Sequence, residues 1–179
     1  MELIFSSQGL DVNRGCPFSC SYCSVPQYER RLIMYTPKRV VDELEYLAKE
    51  AGFFMFTFTN SNIMFYDEPW IVEFCQEVIG RGMGDYLNWT AYHHPITMGK
   101  LSDRAYNLMK KAGSSTIVFG VQSFEKEVLK KFIRPLNTPE LTKEIREKCT
   151  RAGMELTVDY ITGVPGESLD IIEEAFDYF

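Results

Sequence analysis

The sequence lacks a long apolar run, a basic N-terminal segment and an excess of positive charge. Its richest apolar run, residues 53–58, has the length of a strand, whereas a membrane-spanning helix needs about 20 residues. No Lys or Arg precedes Arg14, so the N-terminus does not have the form of a signal peptide. Acidic residues outnumber basic ones by 25 to 19, which disfavours nucleic acid as a direct partner of this segment. We expect a cytoplasmic protein that is not embedded in a membrane.

The remaining composition is that of one packed domain. The 179 residues are 45% apolar and 14% aromatic, which excludes a disordered chain and provides enough material for a core. No low-complexity linker interrupts the sequence. We expect residues 1–179 to form a single domain.

The five cysteines form two groups. An odd number without a secretion signal indicates a reducing compartment, so a disulfide framework is not expected. Cys75 and Cys149 continue apolar stripes with helical spacing, and they are predicted to be buried core residues. Cys16, Cys20 and Cys23 fall within eight residues, in a loop with Gly and Pro and no amphipathic period.

Two kinds of metal site are compatible with the loop of Cys16, Cys20 and Cys23. A structural zinc site normally takes four ligands and pairs of C-x2-C, but only one such pair is present and no fourth ligand is nearby. An iron–sulfur cluster is held by thiolates, and three of them leave one iron open for another ligand. The cluster is favoured; a non-catalytic zinc or electron-transfer module is the alternative.

The loop resembles that of the radical S-adenosylmethionine (SAM) enzymes, with Arg14-Gly15 before the first cysteine and aromatic Tyr22 before the last. The resemblance implies that Cys16, Cys20 and Cys23 hold a [4Fe–4S] cluster and that Tyr22 lies at the cofactor. It also implies that the reduced cluster cleaves SAM to methionine and a 5′-deoxyadenosyl radical, which abstracts hydrogen from a substrate. A reductant such as flavodoxin or ferredoxin is implied as a partner.

The segments along the chain alternate as the resemblance implies, in the order of a partial (β/α) barrel of parallel strands with about five of six βα units. An extended segment at 10–12 precedes predicted strands at 53–59, 86–92, 115–121 and 155–161. A short helix is predicted at 124–131, and the longer helices are predicted to begin at the capping residues Thr36, Asp67, Ser102, Thr138 and Ser168.

The exits of the last two strands resemble SAM-binding segments. Residues 159–168, with the pattern D-x-I-x-G-x-P-G-E-S, resemble the fifth-strand motif of coproporphyrinogen oxidases and methylthiotransferases, which implies adenine contacts at Ile161 and Gly163. Residues 120–123 resemble a segment whose polar residue, here Gln122, binds the ribose. Ser123 is assigned to the cofactor site as well, or it caps the following helix.

Four further residues are assigned by position. The resemblance implies that Arg134 pairs with the SAM carboxylate; otherwise it is an exposed charge. Asn60 stands where many relatives have acidic residues near the SAM amino group. Because of this departure, a second possibility is that the chain is a degenerate member of the family that binds the cluster but not SAM. His93 and His94, the only histidines, are turn residues or candidates for substrate contact and proton transfer.

The relatives suggested by these motifs have a further domain or a second cluster that we do not expect within these 179 residues. Cobalamin-dependent methylases usually have a corrin-binding domain first, but only 15 residues precede Cys16, so cobalamin would require an accessory domain. Methylthiotransferases need a second set of three cysteines. The final helix is also predicted to end without a sixth strand, so either a partner or a second copy would cover the open sheet edge, or the chain is a truncated or unusually small version of a longer enzyme.

Overall fold

The computed structural model describes residues 8–28, 31–58, 67–134 and 136–176, and its centre is a parallel sheet. The strands are β1 (Gln8–Gly9), β2 (Asn13–Arg14), β3 (Ile33–Met34), β4 (Met55–Phe58), β5 (Asn88–His93), β6 (Ser114–Gln122) and β7 (Glu155–Tyr160). The helices are α1 (Val25–Tyr28), α2 (Pro37–Ala51), α3 (Glu68–Gly80), α4 (Pro95–Lys100), α5 (Asp103–Lys111), α6 (Lys126–Lys131), α7 (Pro139–Ala152) and α8 (Leu169–Phe176).

Five strands pair in the order β1-β4-β5-β6-β7, and every neighbouring pair is parallel. The spatial order follows the chain order, as expected when each strand is connected to the next by a helical crossover. The predicted parallel α/β fold with five strands is therefore confirmed. In the described part of the chain the sheet stays open, with β1 and β7 as its edges. None of the described helices is long and apolar enough to cross a membrane.

Polar caps explain where the long helices begin. The side chains of Thr36, Asp67, Ser102 and Thr138 each accept a backbone N–H three residues on, which satisfies one of the free donors of the first turn. The helices α2 and α7 end in left-handed glycines, Gly52 and Gly153. These boundaries are confirmed.

Other predicted boundaries are wrong by a few residues. Strand β4 begins at Met55 rather than at residue 53. Strand β5 begins at Asn88 rather than at Tyr86, because Tyr86 lies in a turn in which its N–H donates to the Met83 carbonyl. Helix α6 begins at Lys126, two residues later than predicted, with Glu125 as its cap. The short elements α1, α4, β2 and β3 were not predicted, because none of them has a distinct apolar pattern in the sequence.

The two faces of the sheet differ in chemistry. On β4 and β5, Phe56, Phe58 and Trp89 are buried against the helices, and the Trp89 indole donates to the Ala112 carbonyl at 2.8 Å. The alternate residues, such as Thr57, are only half-buried, because successive side chains on a strand point to opposite faces. The core therefore lies on one face and leaves the other accessible.

Both histidines belong to the buried structure at the end of β5. His93 and His94 are 0% and 1% exposed, and the Nδ1 of His94 accepts the Ile96 N–H at 3.2 Å as the cap of α4. Burial lowers the pKa of each to about 3. Both imidazoles are therefore neutral at pH 7.

We predict that Cys75 and Cys149 contribute to stability but do not bind metal. Cys75 and Cys149 are 0% and 1% exposed, so replacing either by Ala should lower the free energy of unfolding by about 1 kcal/mol or more through lost packing. Urea unfolding of the metal-free protein measures this, with Cys23→Ala in the half-buried loop as a less costly control. An unchanged midpoint for Cys75→Ala would contradict the assignment.

We also predict that stability falls as the pH is lowered below about 6.5, the ordinary pKa of histidine. Because the unfolded chain binds protons that the buried imidazoles exclude, each histidine lowers the free energy of unfolding by up to about 1.4 kcal/mol per pH unit. Urea unfolding between pH 7 and 5.5 measures the slope. His94→Asn keeps a good cap and should reduce that slope; an identical slope would argue against the buried neutral state of His94.

Candidate metal and cofactor site

The cysteine loop, residues 16–23, follows β2, and Gly15 sets its entry. Gly15 has φ +78°, and a Cβ there would lie 2.0 Å from the Arg31 carbonyl oxygen. The Asn13 side chain donates to the Gly15 carbonyl at 3.3 Å. Only glycine fits this position, because the backbone is left-handed and crowded.

The three loop cysteines are free thiols in a partly desolvated environment. Cys20 is buried, whereas Cys16 and Cys23 are half-buried. Burial raises the pKa of Cys16, and the neighbouring Cys20 and Cys23 raise it further, so the thiols lie within electrostatic range of one another. Among the described residues no three side chains form a ready-made metal-ligand group. The donor set of three thiols suits an iron–sulfur cluster rather than hard cations, which prefer oxygen.

The loop packs on the end of α6. The Ser21 N–H donates to the Phe132 carbonyl at 3.3 Å, and the Ser21 hydroxyl donates to the Lys131 carbonyl at 2.6 Å. The Tyr22 ring meets the Phe132 ring edge-on, with centroids 4.8 Å apart. These contacts fix the loop against a segment about 110 residues further along the chain.

A strained turn after α6 brings the next residue back to this loop. The Ile133 N–H donates to the Lys130 carbonyl, and the Arg134 N–H donates to the Leu129 carbonyl, which is the bonding pattern of a Schellman C-terminus. Ile133 takes the left-handed position with φ +58°. Glycine normally occupies this position, and a β-branched residue there is strained.

Arg134 is buried against the cysteine loop, with 5% of its surface exposed. Its Nη1 lies 2.8 Å from the Tyr22 hydroxyl and 3.8 Å from the Cys20 Sγ, and its Nη2 donates to the Gly120 carbonyl at 3.2 Å. The alternative of an exposed charge is therefore wrong. The contact with a SAM carboxylate stays a prediction.

The end of β6 places Gln122 over Gly120. A Cβ on Gly120 would lie 1.7 Å from the Gln122 side-chain nitrogen, so a larger residue would displace that amide. Gln122 has φ +72°, and its carbonyl accepts the Ile161 N–H at 2.8 Å. The predicted ribose and adenine segments are thus joined directly.

Glu167 joins the same two segments through its carboxylate. It accepts the Gly163 N–H at 2.9 Å and the Val164 N–H at 3.4 Å, and the Ser123 hydroxyl donates to it at 3.3 Å. Ser123 is fully buried and also accepts the Glu125 N–H at 3.1 Å. Ser123 therefore supports the start of α6 without being its cap, and its contact with a cofactor stays a prediction.

The two histidines do not join this group of contacts among the described residues. The His94 ring stacks on Phe18 of the cysteine loop, with centroids 3.8 Å apart, so it supports the loop from the side. His93 points to the helix-covered face, as Trp89 does. Their roles at a substrate stay predictions. Asn60 lies outside the described residues.

The open face of the sheet carries a groove of about 310 Å³ near the amino ends of β4, β5 and β6, and most of its lining surface is apolar. Thr57, Asn88, Thr90 and Thr116 are among the residues that line it. Because the helices cover the opposite face, this groove is the accessible side of the parallel sheet.

Sequence reasoning missed three residues that hold the site together. Glu167 stood in the motif of residues 159–168 without a role, although an acidic residue after Pro-Gly was a usable signal. The buried amide of Asn137 donates to the Gly120 carbonyl at 3.1 Å, and the Lys131 ammonium donates to the Pro165 carbonyl at 2.8 Å. Neither of these two residues has a local pattern that marks it.

Comparison with known proteins agrees with this geometry. The anaerobic magnesium-protoporphyrin IX monomethyl ester cyclase of Cereibacter sphaeroides is 31% identical over 168 residues, which cover 91% of this chain and 26% of the cyclase. A tRNA-2-methylthio-N(6)-dimethylallyladenosine synthase of Oceanobacillus iheyensis is 26% identical and matches 92% of this chain and 32% of the synthase. The chain thus spans about a quarter to a third of the length of these relatives.

A solved structure shares the fold. The radical SAM methyltransferase TsrM from Kitasatospora setae, with cobalamin and a [4Fe–4S] cluster bound, superposes with a TM-score of 0.79 at 21% identity, over 96% of this chain and 34% of TsrM. The family model of the radical SAM superfamily matches residues 10–179, which include the cysteine loop and all the strand exits described above. The chain belongs to the radical SAM superfamily.

Proposed function

We propose that residues 1–179 form the cofactor-binding core of a radical SAM enzyme. In this proposal Cys16, Cys20 and Cys23 bind a [4Fe–4S] cluster, and SAM lies against Tyr22 and the exits of β6 and β7. The reduced cluster supplies one electron that cleaves SAM to methionine and a 5′-deoxyadenosyl radical. That radical abstracts hydrogen from a substrate on the open face of the sheet.

The observation that carries the proposal is the meeting of three distant segments. The cysteine loop, the end of β6 and the turn after β7 are held together by Arg134, which reaches Cys20 and Gly120, and by Glu167, which reaches Ser123 and Gly163. Ligands of parallel α/β sheets lie at the carboxyl ends of the strands. A cluster on the loop would therefore face a ligand held by these ends.

The chain's own residues have separate tasks in this arrangement. The Gln122 amide both donates and accepts, as two neighbouring ribose hydroxyls require. Gly163, with φ +80° and no side chain, lets the backbone beside Ile161 approach an adenine ring closely. Asn60 is assigned to the SAM amino group and Arg134 to its carboxylate.

The reaction outcome depends on parts beyond this core. The cyclase and the methyltransferase among the relatives support a methylation or another C–H functionalisation. Cobalamin, which TsrM holds, would have to be bound by another domain. A flavodoxin or ferredoxin would deliver the electron in a reducing cytoplasm.

The first prediction concerns the cluster itself. Anaerobic reconstitution with iron and sulfide should give cluster absorbance, and SAM with dithionite should then yield 5′-deoxyadenosine. Removing Cys16, Cys20 or Cys23 should abolish both, because each thiolate is an iron ligand. Cys75→Ala is the matched control, since its buried thiol lies in the core and should retain the cluster. One equivalent of zinc without iron would contradict the proposal.

The second prediction concerns SAM binding. Glu167→Ala removes the acceptor of two backbone N–H groups and one hydroxyl, so the turn at Gly163 should lose its fixed position. We expect the Kd for SAM to rise on the order of tenfold, because a hydrogen bond to a charged group contributes about 1.5–3 kcal/mol and each 1.4 kcal/mol is about tenfold in Kd. The cluster absorbance should be unchanged. Glu127→Ala, which removes only a surface pair with Lys130, is the control; equal affinities for the two variants would contradict the role of Glu167.

A further inference from the structure

Arg134 is a buried cation whose described contacts include no carboxylate. Its guanidinium touches the Tyr22 hydroxyl, the Cys20 sulfur and the Gly120 carbonyl, and none of the salt bridges between described residues involves it. A buried charge is costly unless a partner of opposite charge compensates it. Of its three contacts, a phenol with an ordinary pKa near 10 and a peptide carbonyl are neutral at pH 7. The Cys20 sulfur becomes anionic when it binds a metal.

We propose that Arg134 is a positioning residue that sets the reduction potential of the cluster by donating a hydrogen bond to the Cys20 thiolate. The inference rests on the proposed function, in which Cys20 is a cluster ligand. It goes beyond the SAM contact assigned to Arg134, because it acts before SAM binds. The guanidinium Nη1 is within hydrogen-bonding reach of the Cys20 sulfur, at 3.8 Å.

The guanidinium is held in this place from both sides. The Schellman turn at Ile133 fixes its backbone, and its Nη2 is anchored on the Gly120 carbonyl, which also accepts from Asn137. With Nη2 anchored, Nη1 is directed at the cysteine loop, where it meets both Tyr22 and Cys20. The planar donor fork allows these two directions at once, which a lysine ammonium does not reproduce.

A fixed positive charge at a ligand sulfur favours the reduced cluster. Reduction adds one electron and therefore one negative charge, and hydrogen bonds to cluster sulfurs and local charge are the terms by which a protein tunes the potential. Removing the guanidinium should therefore make reduction more difficult and lower the potential. Loss of a SAM contact alone would leave the SAM-free potential unchanged.

The test is an EPR-monitored redox titration of the reconstituted, SAM-free protein. Arg134→Gln removes the charge, and we expect the equilibrium constant for one-electron reduction to fall at least tenfold, which is 59 mV. Lys130→Gln is the matched control, because it removes an equal charge from the surface of α6, the helix before Arg134, where Lys130 pairs with Glu127; it should leave the potential near that of the wild type.

Arg134→Lys provides a second variant if Arg134→Gln does not assemble a cluster. It keeps the charge but cannot hold Gly120 and Cys20 together, so its potential should lie below that of the wild type by more than the Lys130→Gln shift. Potentials of the Arg134 variants within the range of that control, with a weaker affinity for SAM, would overturn the inference and leave a carboxylate contact only. A wild-type chain that takes up no iron–sulfur cluster would instead refute the proposed function.

Discussion

The burial of the Arg134 guanidinium is the constraint on which the arrangement of the site depends. A planar cation with 5% exposure is costly without partners inside the protein. Its two terminal nitrogens reach groups of the cysteine loop and of the end of β6, whereas its Nε has no partner among the described residues. Moving either segment would leave part of a buried charge without a partner. The cysteine loop is only eight residues long and has no regular structure of its own, so this contact and the hydrogen bonds of Ser21 give it a defined position.

The carboxylate of Glu167 joins the end of β6 to the turn after β7, as Arg134 joins the cysteine loop to β6. Glu167 accepts two backbone N–H groups of the turn after β7 and the hydroxyl of Ser123, while Lys131 donates to the Pro165 carbonyl of that turn from the other side. Helix α6 and the turn behind it therefore contact all three segments of the site. Because these contacts join residues far apart in the chain, the site exists only when the parallel sheet is formed.

What could be predicted from the sequence was the part with a local cause. Thr36 and Gly52 mark the two ends of α2, because helix capping and a left-handed glycine depend on single positions. The cysteine loop could be recognised because few other sites have its cysteine spacing. The position of Arg134 could not be predicted: the end of α6 at Lys131 was, but no residue type marks Ile133 as the left-handed position that turns the chain back to Cys20. Glu167 was visible as a motif letter, but its partner Ser123 is 44 residues earlier, and only the pairing of β6 with β7 brings them together.

The strained residues indicate how stability and function are divided between the two faces of the sheet. Among the described residues, Gln122 and Ile133 are the two non-glycine residues with positive φ, and both lie at the site. Such conformations cost on the order of 1–3 kcal/mol each, and the register of β6 against β7 shifts at the same point, between Gly120 and Gln122. The aromatic core on the opposite face offsets this cost. The strained residues direct two side chains to the site. The register shift in β6 places the Gln122 amide over Gly120, and the turn at Ile133 brings Arg134 to Cys20. A relaxed strand and an ordinary helix end would direct both side chains away from the place where the three segments meet.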